Sequence, residues 1–188
     1  MTRIRSTKRI CLAAALAFAA LGLARTGHAG TAQQEAQLID DANRTLELYR
    51  KTDPGIDTFI QRSLGYVVFP GIGKGGIGIG GAHGNGVLFE KGKPVGKVTM
   101  NQVTIGAQLG GQEFSEIIFF EVPKVLNDLK MDKANFSAEV SGVALNSGAA
   151  AKARFKNGIA VFTATKGGLM FEASIGGQKF KYQPFMTP

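Results

Sequence analysis

Fifteen of the chain's 26 glycines fall between Gly65 and Gly111. Each interior glycine costs a helix about 1 kcal/mol relative to alanine, so the middle of this chain is extended. Within it, Tyr66-Val67-Val68-Phe69 is a β-branched and aromatic run that Pro70-Gly71 is expected to end. Gly76-Ile77-Gly78-Ile79-Gly80 alternates with period two, which predicts a strand with one bulky face and one bare face. Bare backbone is useful where another element or a ligand comes close. Asn85-Gly86 before Val87-Leu88-Phe89 predicts a hairpin turn with its return strand. Lys91-Gly92-Lys93-Pro94 predicts another turn, and further strands are expected over residues 97–108 and 116–122.

On either side of this stretch the pattern changes. Residues 31–51 contain neither glycine nor proline. Leu38, Ile39, Ala42, Leu46 and Tyr49 recur at spacings of three and four, which places them on one face of a helix. That face, Leu38, Ile39, Leu46 and Tyr49 in particular, suits either a protein core or a membrane. Asp53-Pro54-Gly55 stops the helix, and a second short one is expected over residues 56–63. Downstream, Pro123–Lys130 reads as a short helix with proline near its start. Phe136, Ala138, Val140 and Gly142 alternate as in a half-buried strand. Strands over 159–165, 169–175 and 179–182 follow, with Lys166-Gly167-Gly168 as a tight turn. Neighbouring strands joined by short turns pair antiparallel. The expected class is α+β: N-terminal helices, then a glycine-rich, mainly antiparallel curved sheet or partial β-barrel, with one short helix near 123–130. No regular repeat and no long linker divides residues 30–188, so they are expected to form a single domain.

The first 29 residues read differently again. Arg3, Arg5, Lys8 and Arg9 precede the apolar run from Cys11 to Ala24, which is too short to span a bilayer. Gly27-His28-Ala29 places small residues at the −3 and −1 positions of a cut before Gly30. These are the three parts of a cleavable signal peptide, so a periplasmic or extracellular protein is expected, free or peripheral to a membrane; a retained anchor is the alternative. Cys11 precedes the apolar run, where a lipoprotein cysteine would follow it. Cleavage removes five basic residues and no acidic ones, leaving 17 basic against 14 acidic and a net charge of +3 instead of +8. It also removes the chain's one cysteine, so no disulfide is expected.

Little in the sequence supports catalysis. Gly71-Ile72-Gly73-Lys74-Gly75-Gly76 fits the dinucleotide-binding glycine spacing, but that chemistry needs a helix starting at the motif to face the pyrophosphate. Here the motif runs into further β alternation. Neither Gly73-Lys74 nor Gly96-Lys97 is followed by Ser or Thr, as a phosphate-binding loop requires. His83 is the one histidine after Gly30, so a histidine-based metal site or a nucleophile–histidine pair is poorly supplied. Glu113 and Glu116, three apart on a strand, fall on opposite faces. No metal, cofactor or enzymatic activity is expected.

Charge is more informative. Six acids and three bases lie between Gly30 and Asp57, while the remainder carries 14 bases and 8 acids. The bases concentrate at Lys91, Lys93 and Lys97, and at Lys152, Arg154, Lys156, Lys166, Lys179 and Lys181. On one face they would attract anionic headgroups. Lys152, Arg154 and Lys156, at period two, would share one face of a strand. Lys74 sits among glycines whose backbone N–H groups are open to a headgroup.

Gly65-Tyr66-Val67-Val68-Phe69-Pro70, the glycine motif at 71–76 and Gly80-Gly81-Ala82-His83-Gly84-Asn85-Gly86 together resemble the SYLF domain signature. Gly106-Ala107-Gln108-Leu109-Gly110-Gly111-Gln112, Glu116-Ile117-Ile118-Phe119-Phe120 and Lys166-Gly167-Gly168-Leu169 continue it in order, over residues 40–180. The resemblance implies a lipid-binding module. Eukaryotic members bind phosphoinositides and some bind actin filaments, usually beside other domains. With no such partner domain and an export signal, the expected partner is an anionic phospholipid surface, not actin and not nucleic acid. Lys74 matches the family pattern, and the acid-rich helix at 31–51 departs from the amphipathic helix associated with membrane binding in the family. The expectation is thus a non-enzymatic, exported lipid-binding domain using Lys74, Lys152, Arg154 and Lys156. The alternative is an envelope structural or interaction module that docks through its glycine-rich strand edges.

Overall fold

The computed structural model describes residues 11–136, 142–165 and 177–185, with side chains from residue 31 onward except at 76–79, 104–111 and 135–136. The chain divides into two compact units, residues 1–37 and 38–188. Helix α1 runs over Cys11–Thr52, so it starts well before the expected residue 31, and its N-terminal part belongs to the first unit.

The second unit is α+β, with a curved, mainly antiparallel sheet. After α1 come α2 (Ile56–Arg62), β1 (Gly65–Glu90), β2 (Lys93–Phe120) and α3 (Pro123–Lys130). Then follow β3 (Asn135–Phe136), β4 (Val143–Ala144), α4 (Ala149–Lys152), β5 (Ile159–Thr165) and β6 (Gln178–Pro184). β2 is central. One edge pairs antiparallel with β1 over nearly its whole length. Along the other edge, β5 lies against Phe114–Phe120 and β6 against residues 96–102. Short strands extend each flank, β4 parallel to β5 and β3 antiparallel to β6.

Four expectations need correction. Pro70-Gly71 does not end a strand: β1 runs through it, because Pro70 falls at a bulge between Phe69 and Ile72, where its missing N–H breaks no regular ladder. Asn85-Gly86 is not a turn but mid-strand, paired with Thr99 and Val98. The reversal is at Lys91-Gly92, whose φ values of 51° and 75° suit a two-residue hairpin loop. Residues 97–108 and 116–120 are not in two strands but in one, β2, which ends at Phe120, two residues short of the expected 122. Residues 152–156 are not a strand: Lys152 ends α4, and Ala153 caps it. The expected strand at 169–175 and turn at 166–168 lie outside the described residues, as do Ala138 and Val140.

The long β1–β2 hairpin bends back over its own inner face. Gln102 and Glu116 are fourteen positions apart on β2, about 46 Å along an extended strand. Yet Gln178, paired with Gln102, places its Nε2 3.3 and 3.4 Å from the two Glu116 carboxylate oxygens. Phe69 and Phe180 approach to 6.2 Å between ring centroids. Glycine permits the closeness: a Cβ at Gly86 would lie 2.7 Å from both Phe69 Cδ1 and the Val68 carbonyl oxygen. The Asn-Gly dipeptide is there for space rather than for a turn.

Two buried layers result. The inner one holds Val67, Phe69, Ile72, Leu88, Val98, Met100, Ile118, Phe120 and Phe180, with Leu126 and Leu129 of α3 closing its end. The outer one lies between the sheet and the helices: Tyr66, Val68, Phe89, Ile117, Phe119 and Phe162 meet Ala42, Leu46 and Tyr49 of α1 and Ile56 and Phe59 of α2. The face Leu38, Ile39, Leu46 and Tyr49 is therefore a core face. Leu46 and Tyr49 are buried, and Leu38 and Ile39 pack at the margin. Tyr49 is fixed further by its hydroxyl, which donates to the Ser115 carbonyl at 2.9 Å. Burial raises its phenol pKa.

Candidate functional site: an uncovered basic face of the sheet

Alternation in two short segments builds the site. In β2, Val98, Met100 and Gln102 are buried, which directs Lys97, Thr99 and Asn101 to the opposite face. In β6, Gln178 and Phe180 are buried, and Lys179, Lys181 and Gln183 are exposed. The register aligns these with β1 in three rows: His83–Asn101–Lys179, Asn85–Thr99–Lys181 and Val87–Lys97–Gln183. This is the outer face of the sheet, continuous with the surface that carries α1 and α2. Val87 is still buried in that layer, but the other side chains of the rows meet solvent: His83, Asn101, Lys179, Lys181 and Gln183 are exposed and Asn85, Lys97 and Thr99 half-buried.

Three lysines stand within these rows and no carboxylate does. Lys179 and Lys181 are successive residues of one face, about 7 Å apart, and Lys97 is diagonal to Lys181 at similar reach. The polar neighbours are ordered: His83 Nδ1 and Asn101 Oδ1 are 2.8 Å apart, and Thr99 Oγ1 donates to Asn85 Oδ1 at 2.9 Å. At the edge of β6, Asp132 accepts from the Tyr182 N–H at 2.6 Å. Val103, 71% exposed, continues the outward series beyond Asn101. Three ammonium groups and several hydrogen-bonding side chains are thus offered from one face, an arrangement whose charge attracts anions.

The four predicted headgroup residues are not brought together. Lys74 lies on β1 opposite Gln112, on the same face as Ile72, and is half-buried. Lys152, Arg154 and Lys156 are exposed on the α4 segment, which packs over the outer layer through Ala149, Ala150 and Ala153. Arg154 serves the local structure, since its Nη1 donates to the carbonyls of Ala151 and Ala153 at 2.7 and 2.6 Å, where α4 ends. Lys97, Lys179 and Lys181 were visible in the sequence as charges. The signal that unites them is the shared period of two in K-V-T-M-N-Q and Q-K-F-K-Y-Q, which needs the β2–β6 pairing to become a site.

Elsewhere, the acidic helix is locally neutralised. Arg44 pairs with Asp41, and Arg50 with Glu47 and Asp57. Shallow grooves of about 440 and 350 Å³ run beside α1, one reaching Pro70 and Glu113 and the other Tyr66 and Phe89. Among the described residues no cluster of three or more His, Cys, Asp or Glu side chains could hold a metal, and no helix is long and apolar enough to cross a membrane. A scan against protein-family models returns no match, and no curated protein matches the chain.

Proposed function

We propose that this is a non-enzymatic, exported lipid-binding protein of SYLF type that adheres to anionic phospholipid surfaces. The observation that carries the reading is the three-strand outer face in which Lys97, Lys179 and Lys181 stand together with no carboxylate in their rows. The solvent exposure of its lysines and polar side chains favours an extended anionic surface over a small enclosed ligand. The SYLF-like glycine motifs and the signal-like N-terminus support the same reading from the sequence side.

Each lysine near an anionic membrane contributes about 1 kcal/mol. Replacing Lys97, Lys179 and Lys181 by Gln is therefore expected to weaken co-sedimentation with phosphatidylglycerol vesicles by roughly a hundredfold at low salt. Lys152→Gln with Lys156→Gln is expected to cost much less. Equal binding by the triple variant and the parent overturns the reading.

A second reading has one observation in its favour: among the described residues β1 pairs with β2 alone, which leaves its other edge open to a partner strand. Salt separates the two. Headgroup adhesion weakens steeply as ionic strength rises, and main-chain docking does not.

A further inference from the structure

We propose that Glu116 and Gln178 form a proton-operated latch that holds β6 against the inner face of the folded-over hairpin. Glu116 is 1% exposed and lies inside the bend. Its two cross-strand partners are Phe69 of β1 and Thr163 of β5, and Phe114 and Ile118 flank it on β2. Gln178 of β6 reaches it across the fold. From α3 this face receives Leu126 and Leu129, with Val125 packed at its margin. Tyr49 of α1 feels its charge through the sheet. Glu113 falls on the opposite face and is exposed. The cation placed on the same face by register is Lys74, opposite Gln112, about 13 Å along β2.

The hydrogen-bond inventory favours a proton at this place. The Gln178 amide offers its nitrogen to both carboxylate oxygens, while Gln178 Oε1 is buried with no partner among the described residues. A carboxylate gives this acceptor nothing. A carboxylic acid supplies the missing O–H donor, and a small turn of the amide then gives the reciprocal acid–amide pair, O–H to amide oxygen and N–H to acid carbonyl. Burial acts in the same direction and pushes the Glu116 carboxyl up to about 7 from its ordinary 4.5.

The sign follows. The latched form holds a proton that the opened, hydrated form releases, so opening of β6 rises with pH between about 4.5 and 7 and levels off above 7. The slope is at most about tenfold per pH unit. Lys179 and Lys181 follow Gln178 directly on β6, so the latch also aligns two of the three lysines. That consequence rests on the lipid reading, but the latch does not.

Hydrogen exchange of the β6 amides in the full chain without vesicles, corrected for intrinsic rates, tests it. Protection is expected to fall at least tenfold from pH 5 to pH 7 and to change little from pH 7 to pH 8. Glu116→Gln is expected to hold the pH 5 protection throughout, and Gln178→Leu to lose it at pH 5. A parent with pH-independent protection, or a Glu116→Gln variant that keeps the parent's dependence, overturns the proposal. Should that variant fail to fold, carboxyl NMR of the ¹³C-labelled parent decides instead: a Glu116 midpoint in the ordinary range near 4.5 refutes the latch, and one near 7 supports it. Vesicle binding that fails while the exchange result holds refutes the lipid reading alone.

Discussion

Asp53 shows how much one buried side chain can organise. It is 5% exposed, and its carboxylate accepts from the N–H of Gly55 at 2.9 Å and of Ala150 at 2.7 Å. It thereby ties the end of α1 to the start of α4, almost a hundred residues on. Asp53→Ala leaves both donors unpaired, one of them buried, and is expected to cost about 2–3 kcal/mol in urea denaturation. Asp53→Asn, which keeps one acceptor oxygen, is expected to cost less. Gly86 is a second such residue. A methyl group there meets a backbone carbonyl that cannot step aside, so Gly86→Ala is expected to destabilise by about 1–3 kcal/mol. From the sequence, Asp53 read as a helix stop and Gly86 as half of a turn. The first reading was incomplete, since its partner at Ala150 is remote. The second was misplaced, since a glycine needed for clearance and one needed for positive φ look identical in one dimension.

At the scale of elements, legibility tracks how local the determining forces are. Pro123–Lys130 is a helix over the predicted span, because its proline start and its apolar Leu126 and Leu129 are read within two turns. The apolar side of α1 was legible from its spacing, though not that a core would cover it, and the mainly antiparallel, curved character of the sheet was legible too. Strand ends were not. Bulges between Phe69 and Ile72 and between Ile77 and Ile79 let β1 absorb residues that ordinarily terminate strands. The basic face was half legible: its lysines were seen, but their alignment depends on a β2–β6 register fixed by distant residues. The hairpin loop itself makes a sharp prediction. Lys91 has φ of 51°, a region that asparagine tolerates better than lysine. Lys91→Asn is expected to raise stability by a few tenths of a kcal/mol, and Gly92→Ala to lower it by about 1 kcal/mol, in thermal unfolding.

For the molecule as a whole, stability against pH carries the imprint of Glu116 and Tyr49. Glu116 has its folded pKa raised to about 7, so the folded state holds more protons than the unfolded one between about 4.5 and 7. Its contribution is full below that window and is lost as pH climbs through it. The urea midpoint is expected to fall across the window in the parent and to stay level in Glu116→Gln. Tyr49, with its phenol pKa also raised, adds a second decline only in alkali. The long hairpin has a consequence in time as well. Its rungs run from Glu90↔Lys93 next to the loop out to Gly65↔Phe120, each enclosing a longer span of chain than the last. Closing that ladder from the loop outward costs the least entropy at every step, whereas the bend that buries Phe69 under Gly86 needs rungs from both halves already in place. Structure is therefore expected to form in order, zipper first and fold-over after. Gly92→Ala is expected to slow folding, and Asp53→Ala to speed unfolding while leaving the folding rate almost untouched. Chevron plots of the two variants read that sequence of events directly.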